Sequence, residues 1–138
     1  MPYALNWKDL LCCERERTKS ETSPNDYRHD FENDYDRIVF SAPFRRLQDK
    51  AQFFPLERND FVRTRLTHSI EVAALARSIG VSIARKMLKE SRTDKEYATY
   101  IPVILEAAGL AHDIGNPPFG HYGETTLQNA FREWFDKN

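Results

Sequence analysis

The chain has 138 residues, with 20 Lys and Arg against 21 Asp and Glu and a formal net charge of −1. That length fits one domain, and the balanced charge excludes a global basic field that would draw in nucleic acid. No basic-then-apolar leader opens the chain and no apolar run reaches membrane-spanning length, so a cytoplasmic protein with no membrane partner is expected.

Residues 5–17 are expected to be helical, because Trp7, Leu10, Leu11 and Glu14 fall at helical spacings. Cys12 and Cys13 are adjacent, which strains a disulfide between them, and they lack the spacing of a zinc knuckle. Free thiols in a reducing compartment are expected. Residues 18–34 are polar and include Ser23-Pro24-Asn25-Asp26, a loop signal. Residues 35–52 read as two helical pieces. Ser41 is a candidate N-cap, Pro43 suits the first turn of the second piece, and Phe44 and Leu47 share its inward face. Between 53 and 62, aromatic and β-branched residues flank Arg58-Asn59-Asp60, so a short β-hairpin or a loop is expected.

The longest helical pattern spans 64–90, with Leu66, Ile70, Ala73, Ala74, Ala76, Ile79 and Ile83 as its apolar stripe and Gly80 as a point where it bends or loosens. A charged connection at 91–99 leads to a helix over 101–114, with Pro102 in its first turn and Gly115 as its left-handed terminator. Pro117-Pro118 forces a turn. A last helix starts near His121 or Tyr122, with Leu127, Phe131, Trp134 and Phe135 on one side. The expected fold class is all-α.

The chemistry-bearing residues lie mainly in the second half. His112 and Asp113 end a strongly apolar helix, where a buried, unpartnered carboxylate is costly and a metal ion would relieve the cost. His68 lies early in another helix, behind Arg63 and Arg65. If those two helix ends meet, His68, His112 and Asp113 offer two imidazoles and one carboxylate, a set that suits Mn, Fe, Ni or Zn. His121 and Glu124 follow the rigid turn Asn116-Pro117-Pro118-Phe119-Gly120. They lie three residues apart, so they share a face of a helix start, as an acid–base pair would. Taken singly, each has a plainer explanation. His112 suits a helix C-terminus with Asp113 as a cap, His68 suits a hydrogen-bonded, half-buried position, and His121 and Glu124 suit caps of the last helix. Arg37, Arg45, Arg46, Lys50, Arg58, Arg63 and Arg65 crowd one stretch, which fits either a polyanionic ligand or a solvated helical surface.

Taken together, these residues resemble the HD superfamily, whose pattern is a His, a His-Asp pair and a distant Asp around one metal; His68, His112 and Asp113 match the first three. The likeness is closer to one branch. Phe44-Arg45-Arg46-Leu47, Gln52-Phe53, Arg63-Thr64-Arg65-Leu66-Thr67-His68-Ser69 and Ala111-His112-Asp113-Ile114-Gly115-Asn116-Pro117-Pro118-Phe119-Gly120-His121 resemble the signature of the dGTP triphosphohydrolase (dGTPase) family.

The resemblance implies the N-terminal part of an HD-domain helical bundle over 35–138, preceded by an N-terminal helix and polar loop over 1–34. It implies a divalent metal cofactor (Mg, Mn or another transition metal) and hydrolysis of deoxynucleoside triphosphates, dGTP foremost, to deoxynucleoside and inorganic triphosphate. By position, His121 matches the catalytic His and Glu124 the acid that orients it. Gln52 and Phe53 match the sugar and base pocket, and Arg46 and Arg65 match positions near the pocket and phosphates. Asn116 stands where many relatives have His; it can donate to phosphate but cannot transfer a proton at neutral pH. A homo-oligomer, and single-stranded DNA as a partner of the full-length family, are also implied. The family's last metal-binding Asp is expected downstream of residue 138, so turnover by these residues alone is not expected. Two alternatives stay open: a non-catalytic fragment or assembly module, and an HD phosphohydrolase acting on another nucleotide.

Overall fold

The computed structural model describes residues 6–14, 26–48, 50, 63–117 and 119–137. Among them are six helices: α1 (Trp7–Leu10), α2 (Asp30–Val39), α3 (Ala42–Arg45), α4 (Arg65–Lys89), α5 (Lys95–Ala111) and α6 (Gly120–Lys137). The expected all-α class holds. The hairpin or loop expected over 53–62 lies outside the described residues.

Helices α2, α3 and α4 each start where a local side chain satisfies a free backbone donor. Ser41 caps α3, its Oγ accepting from the Phe44 N–H at 3.3 Å, and Pro43 sits in the first turn as expected. Thr64 caps α4 in the same way, accepting from the Thr67 N–H at 3.2 Å. The cap of α2 is less usual: the His29 ring accepts from the Phe31 N–H, and the Glu32 carboxylate accepts from the His29 N–H at 2.8 Å. This reciprocal cap starts the helix at Asp30, so the polar stretch expected to reach residue 34 ends at His29. At the N-terminal end the expected helix is cut short. Leu11 turns into the core, residues 12–14 leave the helix, and Cys13 Sγ lies 3.5 Å from His29 Nε2.

Helices α4 and α5 form the body of the fold, packed antiparallel. An added Cβ on Gly80 would lie 2.7 Å from Pro102 Cα, and one on Gly109 would lie 2.7 Å from Ala73 Cα. The two contacts are two turns apart on both helices, so the backbones touch along a seam that only small residues permit. This explains two departures from the periodicity. The buried line of α4 is Ser69, Ala73, Gly80, Ala84 and Met87, whereas Ile70, Ile79 and Ile83 of the expected stripe are 52%, 57% and 39% exposed. Helix α5 also begins at Lys95, not 101, and carries Pro102 in its interior. That proline removes one helical hydrogen bond. Gly80 opposite it accepts its close approach, and Ala98 and Ile101 before it are buried, so packing outweighs the local penalty. Gly115 has φ +81°, the left-handed position expected.

Two apolar clusters flank the seam. Phe44, Leu47, Ala73 and Leu110 pack with Tyr35, Ile38, Val39, Leu66 and Ile114 at one end. Leu11, Ala84, Met87, Ala98 and Ile101 pack with Tyr97, Ile104 and Leu105 at the other. The inward Phe44 and Leu47 agree with their expected face. Helix α6 contributes no buried residue, and Leu127, Phe131, Trp134 and Phe135 are all at least half exposed.

The seam makes a quantitative expectation. Gly109→Val forces the helices apart and costs about 1–3 kcal/mol, while Ala108→Val on the exposed side costs under about 1 kcal/mol through helix propensity. Thermal and urea unfolding of the two variants reads the difference, and equal losses would contradict the close contact.

Candidate metal and phosphate site

The antiparallel register brings the first turn of α4 to the last turn of α5. Arg65 and His68 are one turn apart on α4 and project from that end; His112 caps α5, and Asp113 follows it. The rings of His68 and His112 meet edge to face, with centroids 5.3 Å apart. His112 Nδ1 lies 2.7 Å from the Gly109 carbonyl. A carbonyl only accepts, so Nδ1 carries a proton; in the neutral ring this is the tautomer whose lone pair lies on Nε2. Thus the bond that terminates α5 also prepares His112 as a donor.

Asp113 is 8% exposed. Its Oδ1 accepts from Arg65 Nη1 at 2.9 Å and from the Asn116 side-chain amide. The expected cost of burying this carboxylate is therefore met by a guanidinium and an amide. With Arg65 about one-third exposed, the pair stabilises by about 1–2 kcal/mol after solvent screening. One residue after His68, Ser69 is fully buried, and among the described residues its hydroxyl has no hydrogen-bond partner.

Of the expected ligands, the structure brings together His68, His112 and Asp113, together with Arg65 and Asn116. Two imidazoles and a carboxylate are donor types that divalent ions take. The set is not closed around one point: among the described residues, no group of three His, Cys, Asp or Glu side chains is poised to hold a metal. Asp113 is instead directed to Arg65 and Asn116. Asn116, expected to face phosphate, here positions the carboxylate, and Arg65 has the same partner. Spacing alone offered no signal for the Arg65 contact, because Arg65 and Asp113 are 48 residues apart, whereas Asn116 lies only three residues from Asp113.

His121 and Glu124 form their own pair on α6, with His121 Nδ1 3.5 Å from Glu124 Oε2 and the His121 side chain fully exposed. Their neighbours' side-chain bonds stay within α6: Thr125 to the His121 carbonyl, Thr126 to the Tyr122 carbonyl and Gln128 to Glu124. The structure thus pairs the two residues as expected without seating them against His68 and His112. Arg46 caps α3 and is exposed; Gln52 and Phe53 lie outside the described residues.

An all-helical body with a His, His-Asp constellation at the meeting of two helix ends defines a class. The HD domain model matches residues 65–137, and the chain belongs to the HD domain family. Within it, the chain is similar to particular proteins. It is 52% identical to a "deoxyguanosinetriphosphate triphosphohydrolase-like protein" of Listeria monocytogenes over 97% of this chain and 29% of that protein. It is 46% identical to a protein of the same name from Synechocystis over 95% of this chain and 30% of the relative. With the "deoxyguanosinetriphosphate triphosphohydrolase" of Yersinia enterocolitica it shares 42% identity over 97% of this chain and 28% of the relative. The chain therefore spans under a third of the length of these relatives. Among the described residues, no helix is long and apolar enough to cross a membrane.

The site depends on the first turn of α4. Thr64→Ala removes its cap and costs about 1 kcal/mol. Hydrogen exchange should show faster exchange at the Thr67 and His68 amides with the α5 interior unchanged; unaltered protection at Thr67 would refute the assignment.

Proposed function

We propose that the chain supplies the ion-binding and acid–base part of a metal-dependent deoxynucleoside triphosphate triphosphohydrolase, with dGTP as the foremost substrate. The single observation that supports this reading most is the meeting of His68, His112 and Asp113 at one end of the α4–α5 pair. The similarity to proteins named deoxyguanosinetriphosphate triphosphohydrolase supports the substrate class.

His68, His112 and Asp113 would hold a divalent ion of the Mg, Mn or other transition-metal class. When bound, such an ion supplies Lewis acidity toward a phosphate and its attacking water. The protein's own residues do the rest. Arg65, and Arg46 on the neighbouring α3, offer guanidinium groups to a triphosphate. In the reaction, water adds at the α-phosphorus and the bond to the 5′ oxygen breaks, leaving deoxynucleoside and inorganic triphosphate. His121, oriented by Glu124, either delivers a proton to the departing 5′ oxygen or takes one from the water. Both roles require α6 to bring His121 to the substrate. Asn116 remains on Asp113 and orients it.

A second reading has its own support. The aromatic face of α6 is exposed, and the chain covers 29% of its Listeria relative. On that reading these residues form an ion-binding module whose turnover needs further chain.

The tests separate chemistry from binding. His112→Ala and Asp113→Ala should each lose bound Mn2+ by elemental analysis. His121→Ala should keep it while dGTP hydrolysis falls by roughly 10²- to 10⁴-fold wherever the protein turns over. Separation of inorganic triphosphate from single phosphates identifies the reaction. Single-phosphate release would point to another nucleotide phosphohydrolase, and full activity of His121→Ala would remove His121 from the mechanism. Ion binding without hydrolysis by this chain would favour the module.

A further inference from the structure

We infer that Ser69 is a positioning residue for Asp113: its hydroxyl donates to the second carboxylate oxygen, Oδ2, and fixes the plane of the carboxylate from the α4 side. This contact belongs to the folded chain alone and stands whether or not Asp113 serves the reaction proposed above.

Ser69 is the polar member of the buried line of α4, beside Ala73, Gly80, Ala84 and Met87. An alanine would fill the same place without taking a hydroxyl out of water. Ser69 is 0% exposed, and its Oγ has no hydrogen-bond partner among the described residues. A buried hydroxyl left so is costly, and a seam of small apolar residues has no need of it.

The register of the two helices identifies what faces it. An added Cβ on Gly80 meets Pro102, and one on Gly109 meets Ala73. Antiparallel helices that place 80 against 102 and 73 against 109 place 69 against 113, one turn further along each chain. The neighbours of Ser69 on the same face of α4 agree with this. Arg65, one turn before it, donates to Asp113 Oδ1 at 2.9 Å. Ala73, one turn after it, touches Gly109.

Asp113 has the acceptor that Ser69 lacks. It is 8% exposed. The bonds from Arg65 and from the Asn116 amide both fall on Oδ1, so Oδ2 takes neither. An ionised carboxylate accepts on both oxygens. Rotation about the serine Cα–Cβ bond moves the hydroxyl among staggered positions, and the one directed at Oδ2 satisfies both groups. The carboxylate is then gripped on Oδ1 by Arg65 and Asn116 and on Oδ2 by Ser69. It cannot turn about its Cβ–Cγ bond, and the directions of its remaining lone pairs are set.

The experiment uses the chain itself. Thermal unfolding is measured for the native sequence, Ser69→Ala, Asp113→Ala and the double variant, each checked for helical content by circular dichroism. Ser69→Ala should lower the Tm by roughly 3–8 °C, as expected for the loss of one hydrogen bond to a charged group in a domain of this size. Where Asp113 is already alanine, the same change should have little effect. Independently, the Asp113 13Cγ signal should move further in Ser69→Ala than in Ala73→Gly, which disturbs the seam without removing a hydroxyl. This signal decides alone if Asp113→Ala does not fold. An unchanged or higher Tm for folded Ser69→Ala overturns the contact. An equal loss of Tm in the Asp113→Ala background also overturns it, by placing the partner of the hydroxyl elsewhere. An Asp113 signal that moves no further than in Ala73→Gly does the same.

Discussion

The contact between the α4 and α5 backbones at Gly80–Pro102 and Gly109–Ala73 is the constraint on which the rest of the structure depends. Two helices that touch this closely have little freedom to slide, because any larger side chain at the seam meets backbone. The Arg77–Glu106 ion pair joins the same two helices. With the register held, the N-terminal end of α4 and the C-terminal end of α5 lie together, although His68 and His112 are far apart in sequence.

Helix ends are where polar chemistry is least costly to place. Each end leaves backbone groups without helical partners, and the side chains that satisfy them also serve the site. Thr64 caps the turn that carries Arg65 and His68. The Gly109 carbonyl, left free at the end of α5, sets the His112 tautomer. Asp113 is buried one residue later, where Arg65 and Asn116 can reach it. Termination, capping and the candidate site are thus one arrangement, and Gly115 turns the chain away immediately after it.

The faces away from the seam are unlike it. Leu75, Ile79 and Ile83 on α4, and Leu127, Phe131, Trp134 and Phe135 on α6, are exposed. They are large and apolar, whereas the seam itself is built from small residues. Large exposed apolar patches are usually covered in a working protein.

Residue type and spacing determined much of this by themselves. The all-α class, the caps at Ser41 and the left-handed Gly115, the inward Phe44 and Leu47, and the long helix opening near residue 64 are local properties of short stretches, so they were legible. The family was legible too, because its motifs are runs of neighbouring residues around His68 and His112. Periodicity misplaced the buried line of α4, since it ranks residues by apolarity, whereas the seam selects them by size. It also delayed the start of α5, because Pro102 reads as a helix start until Gly80 is placed opposite it. His29 as a cap could not be anticipated from the usual cap residues. Only the tertiary structure decided that Asp113 takes Arg65 as a partner, that His68 faces His112, and that the His121–Glu124 pair stands apart on α6. Those are distances across the fold, fixed by backbone packing between helices, and no local pattern in the chain carries them.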